Sequence, residues 1–322
     1  MRRKFAILAV LLAAALGLLA ANGVESSTKN PIQVALLHWY AANQAPTQFP
    51  AGGFSVALAF DGESMWVTNA GSDSFNVMKF RTSDGALLGT FPAGQVPSGI
   101  AFDGGNMWVT NQSSNNVMKF RARDGALLQT VTVGTNPGGV AFDGANIWVA
   151  NEHSNNVTEV RARDGTVLGT FTVGTSPIGV AYDGAHIWVA NAGSNNVTKL
   201  SKSGTILGNF PVGTTPEYLA FDGTNMWVTN FGSNNVTKLD ATGATVGTFA
   251  VGNEPLGIAF DGASMWVANH SNNSVTKLRV SDGKQEGTFT VGNDPWGVAF
   301  DGAHIWVANQ YVCCSAGTLS KL

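Results

Sequence analysis

Charge is scarce in this chain. Only 12% of its 322 residues are Asp, Glu, Lys or Arg, where an ordinary soluble protein carries roughly 25%. The little there is has the wrong sign for a phosphate backbone, with a formal net charge of −3, so nucleic acid is excluded as a partner. Cysteine is nearly absent: Cys313 and Cys314 are the only two, and they are adjacent. No cysteine stands near the N-terminus to carry a lipid. What replaces charge is Asn, Ser, Thr and 39 Gly, the composition of a turn-rich β protein with a polar but weakly charged surface. With 44% hydrophobic residues, the chain can fill a large core.

The first residues read as a targeting segment. Arg2, Arg3 and Lys4 precede an unbroken apolar run from Phe5 to Ala21, and Ala21-Asn22-Gly23 is a small-x-small cleavage site. The rival reading, a retained anchor, meets a run at the short edge for a span. We therefore expect a signal peptide over 1–23 and a secreted, periplasmic or cell-surface protein with no stable membrane span once it is cleaved. Without those three basic residues, 15 Lys and Arg face 21 Asp and Glu. In the following segment, 24–45, Asn30-Pro31 reads as an N-cap and first helical position. Ile32, Ala35, Leu36, Trp39 and Tyr40 then fall on one face of a short helix over 31–43.

From residue 46 onward the chain repeats itself. A Phe/Tyr-Asp-Gly triplet places Asp at 61, 103, 143, 183, 222, 261 and 301, at intervals of 39 to 42 residues. Each Asp is followed after five residues by Trp and after eight by Asn. Seven copies at this period signal a solenoid, a propeller or an array. Each copy holds four strand signals. In the copy opening at Pro137 they are Gly138 to Asp143, Ile147 to Asn151, Asn156 to Arg161 and Val167 to Val173, separated by turns rich in Asp, Gly and Asn. Four short antiparallel strands per forty residues make a propeller blade. The repeated Trp residues should be buried between blades, each contributing about 2–3 kcal/mol.

The two ends specify closure. The seventh copy stops at Thr318–Leu322, which matches the third strand Asn196–Leu200, and it has no fourth strand. Thr47 to Gly52 resembles the fourth strand Gly89 to Gly94. The N-terminal strand should therefore complete the C-terminal blade, leaving no free terminal edge. The fold class read from the sequence is all-β: a seven-bladed propeller over 46–322.

The repeat Pro-x-Gly-Val/Ile-Ala-Phe-Asp-Gly-x-x-x-Trp-Val-Ala/Thr-Asn resembles the YVTN and NHL-type propellers and is similar to their streptogramin lyase-like branch. This resemblance implies a ligand on the face where the loops entering each blade meet those between its second and third strands. It puts the residue after each Pro, or its equivalent, around the channel mouth: Val56, Ser98, Gly138, Ile178, Glu217, Leu256 and Trp296. The lyase-like relatives need His and Glu converging on a metal there, and the lactonase-like ones several carboxylates. Glu217 alone is ionisable in this ring, so no catalytic residue, metal or cofactor is assigned.

The other loop set contributes Glu152, His153 and His270, whose ordinary reading is exposed loop polarity. Trp296, Phe231 and Tyr311 offer apolar or sugar-stacking surface. These seven residues, Glu217 included, are the candidate ligand contacts. His186 and His304 fall in hairpin turns on the opposite face. The repeated Asp residues are spread around the ring and read as turn caps, not calcium ligands. Asn156, Asn196 and Asn235 form Asn-x-Thr sequons but read first as strand entries. Cys313 and Cys314 sit in a four-residue insertion and are expected to form a vicinal disulfide, although neighbouring Cα atoms lie closer than a disulfide prefers.

The function read from the sequence is a monomeric, non-catalytic binding or scaffolding module for a protein, peptide or glycan; the alternatives are a metal-dependent lyase or lactonase and a lectin with one sugar site per blade.

Overall fold

The structure, a computed structural model, describes residues 47–71, 75–310 and 317–322. The expected signal peptide, helix 31–43, Tyr311 and the Cys313–Cys314 pair lie outside the described residues. Among those described, no helix is long and apolar enough to cross a membrane.

Seven four-stranded antiparallel sheets form the ring. Blade 3 is typical, with strands Pro137–Phe142, Asn146–Asn151, Asn156–Arg161 and Val167–Thr172 from the axis outward. Six blades are continuous in sequence. The seventh takes Pro295–Phe300, Ile305–Asn309 and Thr318–Lys321 from the C-terminal end and borrows Thr47–Pro50 as its outer strand. The borrowed strand pairs Thr47 with Lys321 and Pro50 with Thr318, so the ring is closed as the end-matching predicts.

Each hairpin between the inner and second strands is organised by its Asp. In blade 5 one Asp222 oxygen accepts the amides of Thr224 at 2.8 Å and Asn225 at 2.6 Å. Its other oxygen accepts the Trp227 indole N–H at 2.7 Å. Turn capping was legible in the sequence; the second bond, repeated in all seven blades, was not. Burial alone would push the Asp222 carboxyl up, but the bonds from Trp227, Asn225 and Thr224 reverse this and hold it below its ordinary value. His186 begins the second strand of blade 4 rather than lying within the turn. His186 and His304 place Nδ1 3.3 and 3.4 Å from Asp183 and Asp301.

Each Trp packs forward into the next blade. Trp66 lies with Ile100, Met107, Val109 and Phe120 of blade 2. Trp306 of blade 7 lies with Met65, Val67 and Phe80 of blade 1. The ring therefore closes through its core as well as through its strands.

A Lys on the third strand reinforces most junctions. Lys119 Nζ lies 5.1 Å from the Trp108 ring centroid and donates to the Ala162 carbonyl of the next blade at 2.6 Å. Lys321 does the same across the closure, reaching the Thr82 carbonyl at 2.6 Å. Blade 3 has Glu159 at this position. There Lys202 enters from blade 4 instead and donates to the Asp143 carbonyl at 3.1 Å, with its ammonium 3.7 Å from the Asp143 carboxylate.

Close contact at the hub explains the glycines of Pro-x-Gly. A Cβ on Gly139 would lie 2.6 Å from the Ile178 carbonyl oxygen of the next blade. Inner strands crowd so tightly at the axis that a side chain there forces the neighbour away.

Candidate functional site: the mouth of the axial channel

The loops entering the inner strands and those following the second strands lie at one end of the ring. The sequence gives them rigid frames. Asn151, fully buried, donates through Nδ2 to Asn156 Oδ1 and Thr158 Oγ1, both at 2.8 Å. Asn115 and Asn136 adopt left-handed φ of 52° and 55°, a conformation Asn tolerates. Asn115 Oδ1 then accepts the Asn136 amide at 2.9 Å. Comparable bonds recur around the ring, so this end presents fixed positions on which single residues vary.

An axial cavity of about 190 Å³ opens between the inner strands. Its wall is offset from the ring expected at the mouth. Val56 and Trp296 line it, but Ser98, Gly138, Ile178, Glu217 and Leu256 do not. In those blades the wall comes from the next positions along, Gly99, Gly139, Gly179, Tyr218 and Gly257. The cause is a break in register after each Pro, as between Pro137 and Val140, which shifts the residues that face the axis.

This shift uncovers a residue that sequence reading missed. Tyr218 stands where most blades have Gly, and it and Trp296 are the aromatic residues in a wall otherwise made of Gly and aliphatic residues. The signal was present: one copy reads Pro-Glu-Tyr in place of Pro-x-Gly. The Tyr218 hydroxyl accepts the Trp296 indole N–H at 3.0 Å. The two rings belong to blades 5 and 7, so the bond spans blade 6 across the channel wall. His270 meets Trp296 edge-on, with centroids 5.5 Å apart and planes at 81°. Its Nδ1 is buried without a hydrogen-bond partner among the described residues. Gln310, at the equivalent place in blade 7, is only 6% exposed, and its Nε2 also lacks a partner among them.

Glu217 precedes Tyr218 and is half-buried. Its carboxyl has no hydrogen bond or ion pair among the described residues. Burial, and then the negative charge of Glu152, push it up to about 8. It is therefore largely a neutral acid at pH 7. Tyr218 is pushed up as well, by burial first and by Glu217 second. Glu152 is held by Asn136, whose Nδ2 donates to it at 2.6 Å. His153 Nε2 lies 3.9 Å from the other Glu152 oxygen, and its ring is mostly exposed. Phe231 lies in a short 3-10 turn, Phe231–Ser233, at the same end. It makes no ring contact with Trp296.

Of the candidate residues, the structure thus joins Trp296 to His270 directly and Glu217 to Glu152 electrostatically. His153 adjoins the second group through Glu152, and Phe231 stays outside both. Among the described residues, no three His, Cys, Asp or Glu side chains are gathered as a metal site.

Comparison with known proteins bears on the fold. The chain superimposes on the streptogramin B lyase structure with a TM-score of 0.74 at 15% identity, covering 86% of this chain and 97% of that one. It superimposes on Kuenenia stuttgartiensis hydrazine synthase with a TM-score of 0.68 at 19% identity, covering 83% and 95%. No protein-family model matches the chain, and no curated protein does. The architecture is a seven-bladed propeller like that of streptogramin B lyase, and identities this low carry the fold alone.

Proposed function

We propose that this propeller is a secreted or periplasmic binding module with one ligand site, at the mouth of its axial channel. One observation carries the reading. The ring is built from near-equivalent copies, and its channel wall departs from equivalence where Tyr218 replaces Gly and bonds to Trp296. Repeated residues maintain the scaffold, whereas a singular aromatic pair on an open cavity, beside an unpartnered acid, has no scaffold role that the other blades need. Apolar walls with a few convergent polar groups are the usual make-up of a small-ligand site.

A lyase or lactonase relative would draw on groups gathered to hold a divalent ion. Glu217 and Glu152 supply two carboxylates, and His270 packs on Trp296 rather than beside them. A lectin with one site per blade would draw on an aromatic platform repeated in every copy, and Trp296 is not repeated. The basic and apolar residues 2–21 support export.

The test is a glycan and peptide array probed with the wild type and with Trp296→Ala, followed by calorimetric stoichiometry on the hits. We expect one ligand per chain and signal lost in the variant, with circular dichroism unchanged. Hits indifferent to Trp296, or seven equivalents per chain, would remove the single-site reading. A stoichiometric metal that leaves on Glu217→Gln would favour the enzyme.

A further inference from the structure

The mouth end differs electrically from the rest of the ring. None of the loops that enter the inner strands, and none that follow the second strands, contains Lys or Arg. The third-strand lysines reach the other way: Lys119 and Lys199, for example, bond to Ala162 and Ala241 in the turns at the far end. The mouth end nevertheless holds Glu152, Glu217, Glu254 and Asp294, and Glu254 is engaged by the Ser271 hydroxyl. A cleft lined by one sign of charge between low-dielectric walls concentrates the field and draws the opposite ion.

We propose that the channel mouth binds a ligand bearing a protonated amine, seated against the Tyr218–Trp296 pair with its ammonium on Glu217. This deepens the single-site reading above and rests on it. Four observations converge. The Glu217 carboxyl is half-buried with no cation or donor bonded to it among the described residues. A second carboxylate, Glu152, is near enough to act on it electrostatically. Tyr218, the residue after Glu217, lines the axial cavity together with Trp296, and aromatic faces attract a desolvated ammonium. The fold itself uses this pairing, with Lys Nζ 4.7 to 5.4 Å from the Trp ring centroid in six blades. Among the described residues, no arginine or lysine at this end competes for the site.

A carboxyl held up by burial and by a neighbouring negative charge regains its ordinary acidity when a cation arrives. Amine binding at pH 7 therefore expels a proton from Glu217. The other titratable groups at this end are Glu152, with His153 Nε2 3.9 Å from it, Tyr218, Glu254 and Asp294, with His270 against Trp296. Tyr218 stays neutral throughout, and Glu152 holds its bond to Asn136.

The experiment is titration calorimetry of the mature chain with pentane-1,5-diamine, Nα-acetyl-lysine amide, and the uncharged pentane-1,5-diol, in two buffers of different ionisation heat. We expect both ammonium compounds to bind one per chain with release of close to one proton at pH 7, and the diol to bind at least tenfold more weakly. Glu217→Gln should weaken the amines roughly ten- to hundredfold and abolish proton release. Glu152→Gln, away from the aromatic pair, should weaken them less. Binding of the lysine amide alone points to a peptide source, and binding of both to free amines; either supports the proposal. Equal affinity for the diol, amine binding without proton release, no amine binding, or calcium bound in its place would overturn it. Neutral array hits that still depend on Trp296 would then leave the single-site reading standing without the amine. Amines that bind equally to Trp296→Ala and Glu217→Gln would sink both.

Discussion

Glu217→Gln tests the electrostatics of the mouth without any ligand. In the unfolded chain this carboxyl titrates near its ordinary 4.5, and in the fold it is pushed up to about 8 by burial and Glu152. The folded state therefore holds a proton that the unfolded state has released between those two values. Below pH 4.5 both states are protonated and Glu217 costs nothing. As pH rises from 4.5 to 8 the unfolded chain gains from ionisation and the folded one does not, so stability falls and then levels off. At about 1.36 kcal/mol per pH unit the gap sets a ceiling of about 5 kcal/mol. Water reaching the half-buried side chain screens part of this, leaving about 2–3 kcal/mol. Gln is nearly isosteric and never ionises. Urea unfolding at intervals from pH 4 to 9 should give a difference, wild type minus variant, that is flat at acid pH, declines through pH 5–8 and reaches about −2 to −3 kcal/mol at pH 9. Subtraction removes the titrations both proteins share. A flat difference, or a wild type more stable than Glu217→Gln at pH 9, would show that the carboxyl is solvated or has found a cation, and the argument from burial would fail.

Other consequences follow from the ring. Asp222→Ala should cost about 2–4 kcal/mol in chemical unfolding, because it leaves the buried Trp227 indole and two turn amides without acceptors; a loss below 0.5 kcal/mol would mean that water replaces the carboxylate. Lys321→Met removes the bond to Thr82 across the closure and should lower stability by about 1–2 kcal/mol. If the closing seam is the weakest junction, it should also speed proteolysis near residue 47 more than Lys119→Met does; equal rates would refute that ranking. Gly139→Ala forces a Cβ to within 2.6 Å of the Ile178 carbonyl and should cost about 1–3 kcal/mol, read as a lowered melting temperature; an unchanged one would show that the hub yields.

Architecture was legible because it is written seven times. Asp, Trp and Asn at fixed offsets gave the blade period, and the match of residues 47–52 to an outer strand gave the closure seen in the Thr47–Lys321 pairing. What escaped reading was side-chain partnership between blades. Nothing local ties Lys119 to Ala162, or reveals that Lys202 takes over where Glu159 interrupts the lysine series, because those contacts exist only once two blades are stacked. The residues that wall the axial cavity, one position beyond the expected mouth ring in most blades, went unread for a similar reason. Strand alternation predicts which residue faces the axis only while the register is regular, and the break after each Pro resets it. Tyr218 was therefore overlooked beside Glu217, although the loss of Gly at that position was visible.

The site is where a repetitive scaffold leaves freedom. At the far end the repeated positions are mostly committed: Asp to the indole, Lys in most blades to the neighbouring carbonyl, Gly to the turn, where Gly144 holds φ at 94°. A change there is felt at a junction between two blades. At the mouth, buried Asn residues such as Asn151 hold the loop frames, so the following residue carries no scaffold duty. Around the ring that position is Ala70, Gln112, Glu152, Ala192, Phe231, His270 and Gln310. It varies in size, polarity and charge while the Asn before it does not. The residue after each Pro varies as widely, from Gly138 to Trp296. Freedom at these two positions lets one ring combine an acid, an indole and an imidazole on a single side of its mouth, without disturbing the contacts between blades that keep the ring shut.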